Sequence, residues 1–394
     1  MKKEGQAMRF QTFNTGCTLL VWGLIVNTLA MSGAAQATGQ DQPPFDVRVV
    51  AQGLQVPWGM VFVNQHELLV TERAGAVKRV NIRTGAIRQV SGVPPVWAEG
   101  QGGLLDVARP PDEHAREWFY FTYSKPVNGQ GATTLARAKL DGNRLVQWED
   151  LLVTQSRSDT SRHFGSRIAF DGRGHVFFSV GDRGVRDSAQ DLSSHNGSII
   201  RLNLDGSVPR DNPFVGQPGA RPEIWSYGHR NPQGLAWDAT RNLLWEIEHG
   251  PRGGDEINRV LPGRNYGWPI ISYGKEYWAP IRVGEGTHKA GMEQPVHYYV
   301  PSIAPGSLML YSGTRFPQWK GDLFAGALAQ THLNHVDLDA HGQVVAEYRW
   351  LTDLGERMRA VTESPEGDLL ISTDSGRILQ LSLPGAGASE MRSP

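Results

Sequence analysis

The sequence predicts an all-β fold: a six-bladed β-propeller of four-stranded antiparallel blades. Three observations predict it. A β-rich unit recurs along the chain, with apolar alternation, an Asp-Gly or similar turn, a second β-rich run, and then Gly beside a basic residue. Glycine and proline are frequent, at 46 and 24 residues, as expected where many tight turns join short strands. Helical periodicity is nearly absent outside the N-terminal segment.

Taken in order, the chain opens on a targeting segment. Lys2, Lys3 and Arg9 precede an apolar run over 17–31, and small residues then end in Ala35-Gln36-Ala37, an A-x-A cleavage signal. The competing reading is a membrane anchor, but the run is short and is broken by Gly23, Asn27 and Thr28. The expectation is a cleaved secretory signal over 1–37 and one propeller over 38–394. The only cysteine, Cys17, lies inside the signal, so the mature chain has no disulfide and no thiolate metal site. Export without cysteine suits a bacterial periplasm.

Residues 45–50 are strand-like and are expected to complete the last blade, closing the ring. The clearest repeats follow at 62–80, 168–184, 235–260 and 361–383, with weaker copies at 104–140 and 308–338. These six units lie roughly 45–70 residues apart, within propeller spacing once loop insertions are allowed. A β-sandwich or two β-domains is the alternative, but no low-complexity linker divides the chain. The formal net charge of −1 and the lack of a basic run argue against a nucleic-acid partner.

In a propeller the loops at one mouth converge on the axis, so residues distant in sequence share a pocket. The densest chemistry lies over 227–269, which holds Gly-His-Arg-Asn-Pro-Gln-Gly, Glu-His-Gly-Pro-Arg-Gly-Gly-Asp-Glu-Ile-Asn and Asn-Tyr-Gly-Trp-Pro. The repeat reading puts its two loops at opposite ends of a blade segment or in nearby turns, so they need not form one compact site. The Arg230 fork suits carboxylates or a developing oxyanion, with the Asn231 amide beside it. A surface turn ending at Pro232 is the plainer reading. The 250–256 loop can aim backbone carbonyls at a hard cation, and Glu256 and the Tyr266 region can add oxygens; solvated acidic turn residues are the alternative. His163, in His-Phe-Gly-Ser-Arg-Ile, is a candidate general base among twelve histidines that are mostly structural or solvated. Arg357 and Arg359, two residues apart, project from one face of an extended strand as an anion clamp, unless they form a solvated edge with Glu356. Gln101 lies in a Gly-Gln-Gly-Gly run that lets backbone approach a flat ligand. No zinc motif and no G-x-G-x-x-G between strand and helix is present.

Together these motifs, with Val56-Pro57-Trp58-Gly59 and Pro301-Ser302-Ile303-Ala304-Pro305, resemble the soluble pyrroloquinoline quinone (PQQ)-dependent sugar dehydrogenases, in particular their periplasmic aldose branch. The resemblance runs from Val56 to Arg359. It implies a six-bladed propeller that oxidises aldose sugars at the anomeric hydroxyl to lactones, with PQQ at one mouth, calcium beside it, and a soluble electron acceptor. It implies that His163 is the base, that Gln101, Arg230, Asn231, Arg357 and Arg359 contact the quinone, and that Ser272 and Tyr277 approach it. It implies that Gly250 and Pro251 offer carbonyls to the cofactor-side calcium, and that Glu256 and Tyr266 hold a second calcium. One departure stands out. The family's Gly-Ser-Leu-Lys segment reads Gly326-Ala327-Leu328-Ala329 here, without its cation. Losing one charge-assisted contact costs about 1.5–3 kcal/mol, or roughly ten- to a hundredfold in affinity. Two other functions remain open: a calcium-dependent lactone hydrolase on the same architecture, and a binding propeller without catalysis.

Overall fold

Residues 44–385, the part that the computed structural model of the chain describes, contain 24 strands and four single-turn 3-10 segments. The strands form six separate four-stranded antiparallel sheets, as the repeat predicts. Blades 1 to 5 follow chain order over 57–90, 104–153, 168–227, 232–299 and 309–350. Blade 6 takes three strands from 358–382 and its outermost strand from Asp46–Ala51, which pairs antiparallel with Ile378–Ser382 from Asp46↔Ser382 onward. The ring is therefore closed by main-chain hydrogen bonds between the two ends of the propeller, and the expected closing strand does form. The proposed signal segment lies outside the described residues.

Alternation along each strand explains the packing. Residues i and i+2 share a face, so each blade presents apolar side chains to both neighbours. Leu135 and Tyr120 of blade 2 meet Val176, Phe178 and Leu202 of blade 3. Trp245 and Ile247 of blade 4 meet Leu323 and Val336 of blade 5, and Phe324 and Leu333 of blade 5 meet Met358 and Leu369 of blade 6.

The axis itself is plugged by one ion. Arg167, on the lead-in to blade 3, is buried and is held by all five other blades or their lead-ins. Its guanidinium lies 3.9 Å over the Trp58 ring of blade 1 and 2.9 Å from the Asp106 carboxylate of blade 2. It donates to the carbonyls of Gln233 in blade 4 and of Gly306 before blade 5, each at 3.1 Å, and to that of Arg359 in blade 6 at 3.5 Å. Asp106 is completed by the Ile168 amide at 2.9 Å. A buried charge is tolerable only with such complete pairing.

The strand directions decide which loops meet. Each blade's first strand runs from one mouth and its second returns to it. The loop before each first strand and the loop after each second strand therefore share that mouth. Pro232 pairs with Glu248 in blade 4, so the 228–231 and 249–254 loops lie side by side. This corrects the expectation that they need not form one site: a hairpin brings its two ends together.

Candidate functional site

At this mouth a cavity of ≈ 330 Å³ is lined by residues from all six blades or their lead-ins, including Trp58, Arg73, Gln101, Asn231, His249, Arg357, Arg359 and Asp374. Four of the expected cofactor contacts thus line one pocket.

His163 stands at its edge. Its backbone is left-handed, with φ at 55°, and its amide donates to the Gln101 side chain at 2.7 Å. The imidazole Nδ1 lies 2.6 Å from Asp182 Oδ1, and Asp182 Oδ2 accepts from Trp268 Nε1 at 2.8 Å. With Nδ1 held by the carboxylate, Nε2 is the ring nitrogen left for a substrate. Burial lowers the His163 pKa below its ordinary 6.5, outweighing the upward pull of Asp182, and Arg230 pushes the same way as burial. A base with a depressed pKa loses its proton at lower pH. The neutral form therefore persists below pH 6.5, and the acid limb of kcat/KM is expected to have its midpoint below that value. A midpoint above 6.5 in the rate profile would exclude His163 as the titrating base.

The loop beneath His163 is fixed by Arg183, which is fully buried. Its guanidinium donates to the carbonyls of Gly131, Ser156, Thr160 and Arg162 at 2.7–3.1 Å, and lies 3.6 Å over the Phe164 ring. Burial lowers its pKa to about 10, so it remains a cation at neutral pH.

Arg230 comes from the turn before blade 4. It donates to the carbonyls of His249 at 2.9 Å and Gly250 at 2.7 Å, and its guanidinium lies 5.2 Å from the Trp268 ring. Glu248 holds the turn by accepting the Arg230 and Asn231 amides, and Asn231 Oδ1 accepts the Gly165 amide at 3.1 Å. The Gly250 carbonyl expected to face calcium thus already faces a guanidinium, though a carbonyl oxygen has a second lone pair. Asp255 ties this loop to the 302–304 segment by accepting from Gly250 N, Ser302 Oγ and Ala304 N, and burial raises its pKa to about 6.

Arg357 and Arg359 do share a side, and what they share is Asp374. Its carboxylate takes Arg357 Nε at 2.9 Å and Arg359 Nε at 2.6 Å. Glu356, the alternative partner, pairs with Arg377 instead. The clamp therefore carries one net positive charge before a ligand arrives. Arg73, on the turn after the second strand of blade 1, adds another cation to the pocket wall and donates to the Gly100 carbonyl. The pocket fits a polyanion: its wall has three arginines against the one Asp374 carboxylate, with the Gln101 and Asn231 amides beside them.

Other expected residues fall elsewhere. Ser272 is buried, and its hydroxyl accepts from its own loop at Gly274 N. Tyr277 is outside the cavity wall and 63% exposed, with its hydroxyl 3.4 Å from Arg230 Nη2. The Tyr266 phenol is committed to Arg259 O and Leu261 N, and its ring stacks on His229, so only its backbone carbonyl is left for a cation. The cation reading finds better support nearby. His229, Glu246 and Glu248 are buried and place ligand atoms within 4.8 Å of one another. Glu256 pairs with Glu248 across the two strands, and Asn258 with Glu246. Among the described residues, His229 Nδ1, Glu246 Oε1 and Asn258 Oδ1 have no hydrogen-bond partner. Burial first, and then the Glu248 charge, raises both Glu246 and Glu256 well above the ordinary carboxylate value. Buried orphan oxygens of this kind suit a divalent cation.

Sequence reading missed Asp182, Trp268, His249, Arg73 and Asp374. Burial drives His249 down to about 3, so it is neutral; its Nε2 donates to Pro305 O at 2.6 Å.

The described residues contain no helix long and apolar enough to cross a membrane. Residues 54–380 match the family model for glucose/sorbosone dehydrogenases. The aldose sugar dehydrogenase YliI of Escherichia coli is 40% identical over 345 residues, covering 86% of this chain and 92% of that protein. The crystal structure of the soluble aldose sugar dehydrogenase of Escherichia coli in its apo form superposes with a TM-score of 0.82 at 38% identity, covering 86% of this chain and 99% of that one. The PQQ-bound aldose sugar dehydrogenase of Streptomyces coelicolor gives a TM-score of 0.71 at 28% identity, covering 86% and 98%.

Proposed function

The chain belongs to the glucose/sorbosone dehydrogenase family, and from that premise we propose that it is a PQQ-dependent aldose sugar dehydrogenase that oxidises its substrate at the anomeric hydroxyl to the lactone. The observation that carries this reading is the pairing of a held neutral base with an anion-fitting pocket: His163 on Asp182, beside the wall formed by Arg73, Arg357 and Arg359. When bound, PQQ would supply the hydride acceptor, and a calcium ion held by the Gly250 and Pro251 carbonyls would supply a Lewis acid.

The chain's own residues do the rest. His163 Nε2 takes the proton of the anomeric hydroxyl. Asp182 fixes the ring and stabilises the imidazolium that forms, as a buried carboxylate does for a catalytic histidine. Arg230 sets a cation where negative charge develops. Trp268 holds Asp182 through its indole N–H and offers its face to Arg230. Arg357, Arg359 and Gln101 orient the cofactor, with Asn231 supporting it from the opposite wall. A second calcium at the buried Glu246, Glu248 and Asn258, with the half-buried Glu256 beside them and the Tyr266 carbonyl, would brace the 249–256 loop.

We also propose that residues 1–37 are a signal directing the protein to the periplasm and that electrons leave to a soluble acceptor. The arginine wall argues against a lactone hydrolase, since a neutral lactone gives those cations nothing to pair with. The test is a cofactor-free sample supplied with PQQ and calcium, assayed by sugar-dependent reduction of an artificial dye. Turnover that needs both additions is expected. Dye reduction without PQQ, or none at saturating PQQ, would overturn the reading.

A further inference from the structure

The hairpin at 275–282 presents large aromatic side chains to solvent beside Arg230. Lys275 and Arg282 pair across its base, and the Glu276 amide donates to Ile281 O at 2.9 Å. The hairpin is pinned at three points. Lys275 exchanges two main-chain bonds with Arg252, both 3.1 Å. The Glu276 carboxylate receives both Arg186 nitrogens, at 2.6 and 2.7 Å. Val283 is buried against Trp268. At the tip, Tyr277 is 63% and Trp278 77% exposed, with Ile281 beside them at 48%.

Exposure of that much indole on a braced loop calls for a ligand. The position says which ligand fits. The Tyr277 hydroxyl lies 3.4 Å from Arg230 Nη2, so the tip that carries Trp278 is tied to the Arg230 turn beside the cavity. PQQ held in the arginine-lined cavity would leave the reacting sugar at the mouth, beside His163, whose amide is bonded to the wall residue Gln101. Any further ring joined to that sugar has to run along the rim. A pyranose has one face of C–H groups and a periphery of hydroxyls. An exposed aromatic face bordered by Lys275, Arg282 and Arg252 matches both parts.

We infer that Trp278, with Tyr277 beside it, forms an outer subsite that holds the second and third rings of a reducing oligosaccharide whose end ring is oxidised at His163. This inference rests on the sugar-dehydrogenase reading.

The test is Trp278→Ala, assayed with glucose, maltose and maltotriose in PQQ-loaded enzyme. KM for maltose and maltotriose is expected to rise about five- to tenfold, the order of a lost aromatic stacking contact. KM for glucose should stay within about twofold, and Trp278→Phe should restore most of the loss. An equal change for all three sugars, or none, overturns the subsite. So does an effect seen only with a protein electron acceptor at saturating sugar, which would make the rim a protein-docking surface. A second measurement separates this idea from the catalytic one. Maltotriose added to cofactor-free protein should change its indole fluorescence, and the Trp278→Ala protein should lack that change. The fluorescence response in a protein that still turns over no sugar once PQQ and calcium are supplied would sink the dehydrogenase reading and keep the subsite. Turnover without the response would do the reverse.

Discussion

Replacing His163 with alanine is expected to lower kcat by about 10²–10⁴-fold, the usual contribution of a placed general base. PQQ should still bind, because His163 flanks the arginine-lined wall and forms no part of it. Equilibrium titration with the quinone and steady-state kinetics on the same sample check both halves. Unchanged turnover would remove His163 from the mechanism. Lost quinone binding would assign it to the cofactor instead. Asp182→Asn gives a graded companion result. The amide cannot stabilise the imidazolium as the carboxylate does, and it removes a group that raises the His163 pKa. kcat should fall, and the acid limb of the rate profile should move to still lower pH. A purely structural role for Asp182 would lower activity without moving that limb.

The second large effect is on stability. Arg167→Met should destabilise the fold by about 3–5 kcal/mol, read from chemical denaturation. The cost has two sources. Asp106 is left as a buried carboxylate without its cation, and the carbonyls of Gln233, Gly306 and Arg359 lose their donor. Removing Asp106 as well, in the Arg167→Met, Asp106→Leu protein, should recover part of the loss, since an apolar pair no longer carries an unpaired charge. A double variant less stable than the sum of the two single changes would show that the carbonyl bonds dominate. Full stability of Arg167→Met would contradict the keystone role.

Much of this molecule was legible without coordinates. The recurrent turn-and-strand unit marks six blades, and the strand-like 45–50 segment is the one that closes the ring. The clustered cations and amides around Arg230 pointed to the mouth, where the structure puts them. Asp182, Arg73 and Asp374 were visible as residues but not as a set. Each occupies the turn after the second strand of its blade: Glu72-Arg73, Gly181-Asp182 and Thr373-Asp374. Aligning the repeats by strand phase, rather than by their apolar runs, would have shown that these turns point the same way as His249 and Gly250. Trp268 carried no such signal, because it comes from the long connection inside blade 4.

The sequence by itself determined the architecture and the kind of chemistry, because strand periodicity, turn residues and the inventory of charged groups are local properties. Only the tertiary structure decided which charges meet. It joined Arg230 to Gly250, gave Asp374 to both clamp arginines, set Asp182 behind His163, and gathered Glu246, Glu248 and His229 into one buried cluster. Those pairings depend on strand direction, blade order and ring closure, which bring together side chains that the chain itself keeps far apart.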